Sequence, residues 1–516
     1  MRFLFLAISF IFSSSVLFSQ HLPKEGSYLN YRLIGFSFPE DKKNNGYVLQ
    51  IAEGDHKTNE SFSKNIFCSV SLNTTSRFEE VPRFGEEYTW RVIYSGTRKN
   101  DSTLHHFSIM SDARIDTSKL RLRVIQPTNR YKDLFVSVDA GGVIYDIKGV
   151  PVAFLPERNG ITGELRDLSF TKDGTITLNH MQSAYEVNLN SDILWRTPDH
   201  NSVNEDTARD SYHHEVKKLA NGHYMVMGME IIMTKRVVKG DSVYSLFLSK
   251  GTSPQRLPPF SPFSAQEKSL GGYIRGIYGT LVEFDKKGNV VWSWRDSKRL
   301  VGTDFDYFTP KVDSHFRFDP HSNSFFFDEQ RNVIYVSYRN ISRISKIEYP
   351  SGKVLNIYGE NFKPGSISYG YDLLCYPHAV KRLTDGNLCF FNNNSCRNSD
   401  SLPSVVIFKE PASYGDSVKK VWEYTCTVEG NYPRRFVSGG NANEMPDGSL
   451  FVCMGSVYSK IFIVDRSKKV LWSALPERYS ETENNWSGTS QYRANYIERN
   501  MLEQLIWVAE NAANVK

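Results

Sequence analysis

Two short segments of the 516-residue chain share one pattern, and each carries a histidine near its start. Residues 212–223 read YHHEVKKLANGH and residues 376–387 read YPHAVKRLTDGN. In both, a histidine, His214 or His378, stands eight residues before the glycine of a turn signal. A third histidine, His321, begins the related run HSNSFFFDEQRN. Imidazoles ligate metal ions or act as nucleophiles, so the repeated placement indicates a functional site.

Two further polar side chains accompany the third histidine. Asn323 follows His321 by two residues, so on a strand both side chains point to the same face. Arg339 ends the next hydrophobic run, VIYVSYRN. A guanidinium disfavours a nearby metal cation, whereas arginine, asparagine and imidazole N–H groups together bind an oxyanion. The pattern therefore favours an anion site with a nucleophilic histidine, and a three-histidine metal site stays open as an alternative.

A longer repeat must position these side chains. From about residue 120 onward, an Asp-Gly or Asn-Gly turn is followed by a hydrophobic strand, as in FTKDGTITLNH and MPDGSLFVCMG. A second hairpin then closes on Val or Ile before Trp, as in LVEFDKKGNVVWSW. These turns need positive φ, and four strands in roughly 40 residues are typical of a β-propeller blade. We predict a six-bladed β-propeller over residues 120–478, with blades at about 128–158, 164–199, 212–298, 316–360, 375–426 and 436–476.

In a propeller, the innermost strand of each blade lines a central channel. His214, His321 and His378 fall on the innermost strands of three successive predicted blades, so we expect them at one end of that channel. We leave His213 outside the set, because regular alternation would send it to the opposite face of its strand. An insertion at residues 231–272 lengthens the third blade.

The remaining segments complete an all-β prediction. Residues 1–19 carry one Arg, an apolar run and small residues, which is typical of a signal peptide. Residues 28–115 contain short alternating runs and predict a small N-terminal β-sandwich of the immunoglobulin or fibronectin kind. Residues 490–516 predict a C-terminal helical segment that packs on the propeller. No other stretch is apolar enough to suggest a membrane span.

Composition restricts the partners and the redox chemistry. The formal net charge of +5 is small for this length, and the chain has no long Lys/Arg block, so we expect no nucleic acid partner. Five of the six cysteines follow residue 374, and an exported chain allows one disulfide among them, without indicating which pair forms. The sequence contains no Cys-x-x-Cys pair, so we expect no structural zinc site.

The motifs resemble those of the bacterial arylsulfate sulfotransferases, a family of six-bladed propellers with an N-terminal β-sandwich. The likeness rests on His-Glu-Val-x-x-Leu-x-Asn-Gly at 214–222, His-x-Asn-Ser at 321–324, Val-Ser-x-Arg-Asn at 336–340 and His-Ala-Val-x-x-Leu-x-Asp-Gly-Asn at 378–387. The run YRANYI, residues 492–497, is similar to the closing segment of the family.

The resemblance implies a transferase that needs no cofactor and no PAPS. It implies that a sulfuryl group moves from a phenolic sulfate ester to a phenol by a ping-pong route through a sulfated histidine. By position, His378 would be the nucleophile, His214, His321 and Arg339 would assist catalysis, and Asn323 would bind substrate. The resemblance also implies an exported, periplasmic enzyme and a homodimer. Tyr212, Tyr338 and Tyr376 are candidates to stack on the aromatic ring of the substrate.

Two other functions stay open at this point. A propeller that binds a ligand or partner without catalysis would turn over no aryl sulfate. A metal-dependent hydrolase would use the histidine cluster to hold its ion and would lose activity with a chelator.

Overall fold

The computed structural model places most of the chain. It describes residues 21–41, 46–94, 103–198, 211–239, 242–245, 273–299, 317–359, 373–396, 401–412, 418–429, 438–456 and 458–512. The predicted signal peptide at 1–19 and residues 246–272 of the predicted insertion lie outside these ranges. The chain divides into two compact units, one of Met1–Ser111 with Glu510–Lys516 and the other of Asp112–Ala509.

The first unit is built from seven strands and a short helix. They are β1 (Ser27–Leu29), β2 (Leu33–Ser37), β3 (Tyr47–Glu53), α1 (Asn59–Lys64), β4 (Ile66–Leu72), β5 (Ser76–Glu80), β6 (Glu87–Tyr94) and β7 (His105–Ile109). One sheet has the order β1-β7-β6-β3-β4, and β2 pairs with β5 in the other. Trp90 is fully buried and meets Phe36 edge to face at 5.2 Å between ring centroids. That this unit is a sandwich stays a prediction.

The second unit contains the other described strands. They are β8 (Leu120–Gln126), β9 (Leu134–Val138), β10 (Val143–Asp146), β11 (Pro151–Phe154), β12 (Arg166–Phe170), β13 (Ile176–His180), β14 (Ser183–Val187), β15 (Ile193–Arg196), β16 (Ser211–Lys218), β17 (Tyr224–Lys239), β18 (Ser242–Ser245), β19 (Tyr273–Phe284), β20 (Val290–Arg295), β21 (Arg317–Phe318), β22 (Ser322–Asp328), β23 (Val333–Tyr338), β24 (Arg343–Glu348), β25 (Val354–Gly359), β26 (Pro377–Arg382), β27 (Leu388–Asn392), β28 (Ser404–Lys409), β29 (Lys419–Thr425), β30 (Asn441–Glu444), β31 (Leu450–Cys453), β32 (Ile461–Val464), β33 (Val470–Ser480), β34 (Asn485–Gly488) and β35 (Ala494–Glu498). Two 3₁₀ turns lie at Ala113–Ile115 and Asp296–Lys298, and helix α2 spans Arg499–Ala512.

These strands form sheets that we number along the chain. Sheet 1 has the order β11-β10-β9-β35, sheet 2 β12-β13-β14-β15, and sheet 3 β16-β17-β19-β20 with β18 and β21 at its side. Sheet 4 has the order β22-β23-β24-β25, and sheet 5 β26-β27-β28-β29. Sheet 6 has the order β30-β31-β32-β33-β34, with β8 pairing to β33. The all-β prediction is confirmed, and the exact number of propeller blades stays a prediction.

One terminal strand of each sheet contacts its counterpart in the next sheet. The contacts run from β35 to β12, then to β16, β22, β26 and β30. The amide of Asn441 on β30 donates to the carbonyl of Ala494 on β35 at 2.8 Å, so the series returns to its start. We call these six strands the inner strands. Their closed order places His214 on β16, His321 directly before β22 and His378 on β26 side by side.

The chain end contains a short strand followed by a helix. Residues 494–498 of the predicted helical segment form β35, which pairs with β9 from Ala494 opposite Val138. Helix α2 follows, and its Leu502, Leu505 and Ile506 are fully buried. The Gln504 amide donates to the carbonyl of Lys172 at 2.7 Å, beside sheet 2. The helix-period pattern therefore begins only after a strand that completes sheet 1.

The turn and cysteine patterns have local consequences. Gly222 and Gly386 have φ of +80° and +87°, as the Asn-Gly and Asp-Gly signals require. Cys375 and Cys396 form a disulfide beside the first residues of β26. Cys68, Cys389, Cys426 and Cys453 are free thiols.

Candidate functional site

Four neighbouring inner strands share an irregularity at one level. Pairing of β12, β16, β22 and β26 with the following strand shifts register near the start of each inner strand. At or beside each shift stands a non-glycine residue with positive φ: Asp167 at +55°, His214 at +66°, His321 at +58° and Ala379 at +51°. Bulges re-aim side chains, and such φ values are strained for residues with a Cβ. The site is therefore built on a repeated, special backbone conformation.

The bulge in β16 corrects one prediction. Regular alternation would separate His213 from His214, but the register shift between Tyr212 and Val216 interrupts that alternation. The Nδ1 atoms of His213 and His214 are hydrogen-bonded to each other, and their ring centroids are 4.4 Å apart. His213 is therefore part of the cluster that the sequence argument left without it.

The predicted histidines come together around a tyrosine from the chain end. The ring of His214 stands edge to face with that of His321, at 5.4 Å between centroids. The ring of Tyr492 lies 5.5 Å from His214 and 6.3 Å from His378. The Tyr492 hydroxyl is buried and has no hydrogen-bond partner among the described residues. The three histidines therefore lie close together, and Tyr492, two residues before β35, lies between His214 and His378.

The contacts of His378 define its tautomer. Its side chain is buried, and Nδ1 lies 3.2 Å from the carbonyl oxygen of Tyr376. A carbonyl only accepts, so Nδ1 carries the proton and Nε2 carries the lone pair. Burial, followed by the nearby charge of Arg339, holds the pKa of His378 well below its usual value of 6.5. Neutral His378 therefore presents a nucleophilic Nε2 at neutral pH.

His213 and His214 are also kept neutral. Desolvation, and then the neighbouring His213, lowers the pKa of His214 well below 6.5. Burial and His321 lower the pKa of His213 to about 3. His321 is partly exposed, with Nδ1 3.4 Å from a carboxylate oxygen of Asp319. The neutral imidazoles of His213 and His214 can donate hydrogen bonds without repelling a cationic side chain.

Arg339 brings a fixed positive charge to the cluster. Its Nη1 donates to the side-chain oxygen of Asn340 at 2.6 Å, and its guanidinium carbon stands 4.3 Å from the ring centroid of Tyr376. Its backbone N–H donates to the carbonyl of His321 at 2.9 Å. The guanidinium is thus held between the strands of His321 and His378, where it can meet an oxyanion.

Asn323 is engaged by the protein itself. It is fully buried, its Nδ2 donates to the carbonyl of Pro377 at 2.8 Å, and its Oδ1 accepts from the hydroxyl of Ser337 at 2.5 Å. Asn323 therefore fixes the residue before His378. Its predicted contact with substrate stays a prediction.

Two of the three candidate stacking tyrosines are placed elsewhere. Tyr212 and Tyr338 are buried in hydrophobic clusters, and the Tyr338 hydroxyl donates to Asp296 at 2.7 Å. Both side chains face away from solvent because they fill the space between sheets, so the stacking prediction is wrong for them. Tyr376 packs under Arg339, and Tyr492 is the aromatic ring that lies among the histidines.

A buried ionic network adjoins the cluster. Arg493 forms an ion pair with Asp167 and lies 3.6 Å from a carboxylate oxygen of Glu215, which in turn pairs with Lys381 at 3.1 Å. The sequence argument missed Arg493 and Tyr492, although it noted the run YRANYI in which they stand. The only signal for them was two large polar side chains at the start of the closing segment.

The described residues show neither a metal-binding cluster nor a membrane-spanning helix. Within the described ranges, no group of three or more His, Cys, Asp or Glu side chains is arranged to hold a metal ion. No helix in that part of the chain is long and apolar enough to cross a membrane.

Part of the chain is similar to a known protein family. The arylsulfotransferase (ASST) family model matches residues 263–458, a range that includes His321, Arg339 and His378. No curated protein matches the chain.

Solved structures are similar only at a low level. They include a Bacteroides caccae protein of unknown function (13% identity, 71% of this chain and 99% of that chain, TM-score 0.40). A putative 6-phosphogluconolactonase from Bacteroides fragilis (13%, 89% and 100%, 0.33) and apo AztD from Citrobacter koseri (9%, 88% and 98%, 0.31) are further examples.

Proposed function

We propose that this chain, whose residues 263–458 match the arylsulfotransferase (ASST) family model, moves a sulfuryl group from a phenolic sulfate ester to a phenolic acceptor through a sulfated His378. The observation that carries the proposal is the state of His378. Its Nδ1 is bound to a carbonyl, its Nε2 is left with the lone pair, and the Arg339 charge lies nearby. A neutral, oriented imidazole beside a guanidinium suits attack on an anionic sulfate ester.

The first half-reaction makes one bond and breaks one bond. The Nε2 lone pair of His378 attacks sulfur, and the bond from sulfur to the aryl oxygen breaks. The phenolate that leaves is a tolerable leaving group, since a phenol has a pKa of about 10. A neutral neighbouring imidazole such as His214 can donate a hydrogen bond to the leaving oxygen, and the phenolate then takes its proton from solvent.

The second half-reaction reverses these steps with a different phenol. The acceptor hydroxyl loses its proton to a neighbouring imidazole, and its oxygen attacks sulfur. The N–S bond breaks, and neutral His378 is regenerated. Charge on the sulfuryl oxygens is met by Arg339, and loss of one such preorganised donor typically costs about 10²–10³-fold in rate.

Two features of the sequence support further parts of the proposal. The chain has no Gly-rich loop with Lys-Ser or Lys-Thr to cradle phosphates, which favours direct use of an aryl sulfate over PAPS. The apolar run at 1–19 favours export, and we propose a periplasmic enzyme.

The test pairs turnover with a mass measurement. Purified protein is incubated with a chromogenic aryl sulfate, with and without a phenol acceptor and with and without chelator. We expect release of the phenol that the acceptor stimulates and the chelator leaves unchanged, and a covalent sulfuryl adduct when donor is present alone. His378→Ala should lose both. His223→Ala is the control, because His223 pairs with Glu283 at 2.7 Å outside the cluster.

Other outcomes assign other functions. Activity that the chelator abolishes would support a metal-dependent hydrolase. No release from several aryl sulfates, by protein that is folded by circular dichroism, would contradict a transferase and leave a non-catalytic binding propeller.

A further inference from the structure

Backbone hydrogen bonds hold Arg493 between sheet 1 and sheet 2, independently of the contacts of its side chain. Its N–H donates to a carboxylate oxygen of Asp139 at 3.1 Å, and the Asp139 N–H donates to its carbonyl at 3.3 Å. The same carboxylate accepts from the N–H groups of Asp167 at 2.9 Å and Leu168 at 3.3 Å. Asp139 therefore ties the end of β9, the bulge of β12 and the residue before β35 together.

The Arg493 guanidinium then reaches three inner strands. Nη1 pairs with Asp167 on β12 and lies 3.6 Å from Glu215 on β16, and Nη2 donates to the carbonyl of Asn323 on β22 at 3.2 Å. Only about 3% of the side chain is exposed. A planar fork with donors in several directions suits this task, whereas a lysine ammonium would be a point charge on a flexible stem.

Each of these contacts lies next to a histidine of the cluster. Glu215 follows His214 in sequence, and Asn323 lies two residues after His321. Glu215 also accepts from the N–H of Phe325 at 2.9 Å and from Lys381, three residues after His378, at 3.1 Å. The network of Arg493 and Glu215 therefore reaches all three strands that carry the site histidines.

We propose that Arg493 is a positioning residue that sets the mutual placement of His214, His321 and His378 through its buried guanidinium. The inference rests on the proposed function for its kinetic consequence, but not for the geometry. Because a catalytic group displaced by about 1 Å can cost about 10²-fold in rate, the loss should fall on kcat.

The test compares Arg493→Lys, which keeps the charge and removes the fork, with the control Arg130→Lys. Arg130 pairs with Asp447 at 2.7 Å and its side chain is 55% exposed. The readouts are kcat and KM with an aryl sulfate and the NMR resonances of ¹³C-labelled imidazoles, assigned with His214→Asn and His378→Asn. We expect at least a tenfold loss of kcat at nearly unchanged KM, with displaced His214 and His378 resonances, and no change in the control.

Each outcome decides one proposal. A folded Arg493→Lys protein with wild-type kcat and wild-type imidazole resonances would overturn the positioning role. If the wild-type protein turns over no aryl sulfate, the proposed function fails, while the resonances still report on Arg493. Should Arg493→Lys not fold, Glu215→Gln takes its place, since it removes the negative charge beside the guanidinium. Displaced resonances would support the role, and unchanged resonances would contradict it.

Discussion

His214 and His321 stand edge to face with ring centroids 5.4 Å apart, although they belong to different sheets and are 107 positions apart in sequence. Both have positive φ, at +66° and +58°. The repeat of one local backbone shape on adjacent inner strands therefore brings two distant imidazoles into contact. His378, at the same level of the next inner strand, meets them through the ring of Tyr492.

His378 and His214 should differ in their effects when they are replaced. His378→Asn removes the attacking nitrogen, so we expect no sulfuryl adduct in the donor-only sample. His214→Asn removes an imidazole that can donate a hydrogen bond to the leaving oxygen, so the adduct should still form, about 10²–10³-fold more slowly. Rapid-quench mass spectrometry measures both rates.

His223→Asn serves as the control for this pair, because its partner Glu283 lies outside the cluster. We expect it to match the wild-type rate. An adduct that persists in His378→Asn and disappears in His214→Asn would exchange the two roles.

The rate should stay nearly constant when the pH falls through the usual range of histidine. Burial and the charge of Arg339 hold the pKa of His378 well below 6.5, so its neutral, attacking form persists below that pH. Arg339→Met removes a positive charge, so the pKa of His378 should rise and the acidic limb of kcat/KM should move to higher pH. A profile that falls at about pH 6.5 in the wild-type protein would contradict a depressed pKa.

The same shift affects stability with a defined sign. The unfolded chain protonates this histidine near pH 6.5, whereas the folded protein does not, so stability decreases as the pH falls below that value. Buried carboxyls act in the opposite sense, since burial raises the pKa of Asp139 and of Asp296 to about 7. The measurement is therefore the difference between wild type and His378→Asn in urea unfolding at pH 7 and pH 5. We expect the wild type to lose about 1–2 kcal/mol relative to the variant.

The sequence predicts those features that repeat locally. Asp-Gly and Asn-Gly turns recur with the four-strand repeat, and Gly222 and Gly386 have the positive φ that the turns require. Because the turn sets the register of the strand before it, counting back from the glycine places His214 and His378 at one level. Arg339 is predicted from its place at the end of the hydrophobic run at residues 333–340, and the resemblance adds its role in catalysis.

Contacts made across the whole chain are not readable in this way. β35 pairs with β9 over a separation of more than 350 residues, and no local period indicates that pairing. Tyr492 and Arg493 enter the site only through this closure. The bulge that brings His213 to His214 depends on a local register shift, which hydrophobic alternation does not report.

Tyr492→Phe tests the residue that sequence reasoning missed. The Tyr492 hydroxyl is buried without a partner among the described residues, so its removal breaks no hydrogen bond within that part of the chain and should not lower stability. If the hydroxyl donates to the sulfuryl group or the leaving oxygen, kcat should fall by about tenfold or more. Kinetics and thermal unfolding of the same samples measure the two effects.

Tyr496→Phe is the matched control for this substitution. Its hydroxyl donates to the carbonyl of Glu444 at 2.9 Å, so we expect a lower melting temperature at an unchanged kcat. A Tyr492→Phe protein with wild-type kcat would exclude a role for the hydroxyl in the reaction.

The Cys375–Cys396 disulfide should support both stability and the orientation of His378. It closes a segment with a sequence separation of 21, for which a stabilisation of about 3 kcal/mol is typical. Cys375 directly precedes Tyr376, whose carbonyl binds Nδ1 of His378. We therefore expect the double variant Cys375→Ser and Cys396→Ser to melt at a lower temperature and to lose kcat, because the carbonyl that orients the imidazole is less constrained.

A reductant should lower the melting temperature of the wild-type protein and leave that of the double variant unchanged. Cys68→Ser, which removes a free thiol of the other unit, is the control and should respond to reductant as the wild type does. Equal melting temperatures for wild type and double variant under oxidising conditions would contradict the contribution of the disulfide.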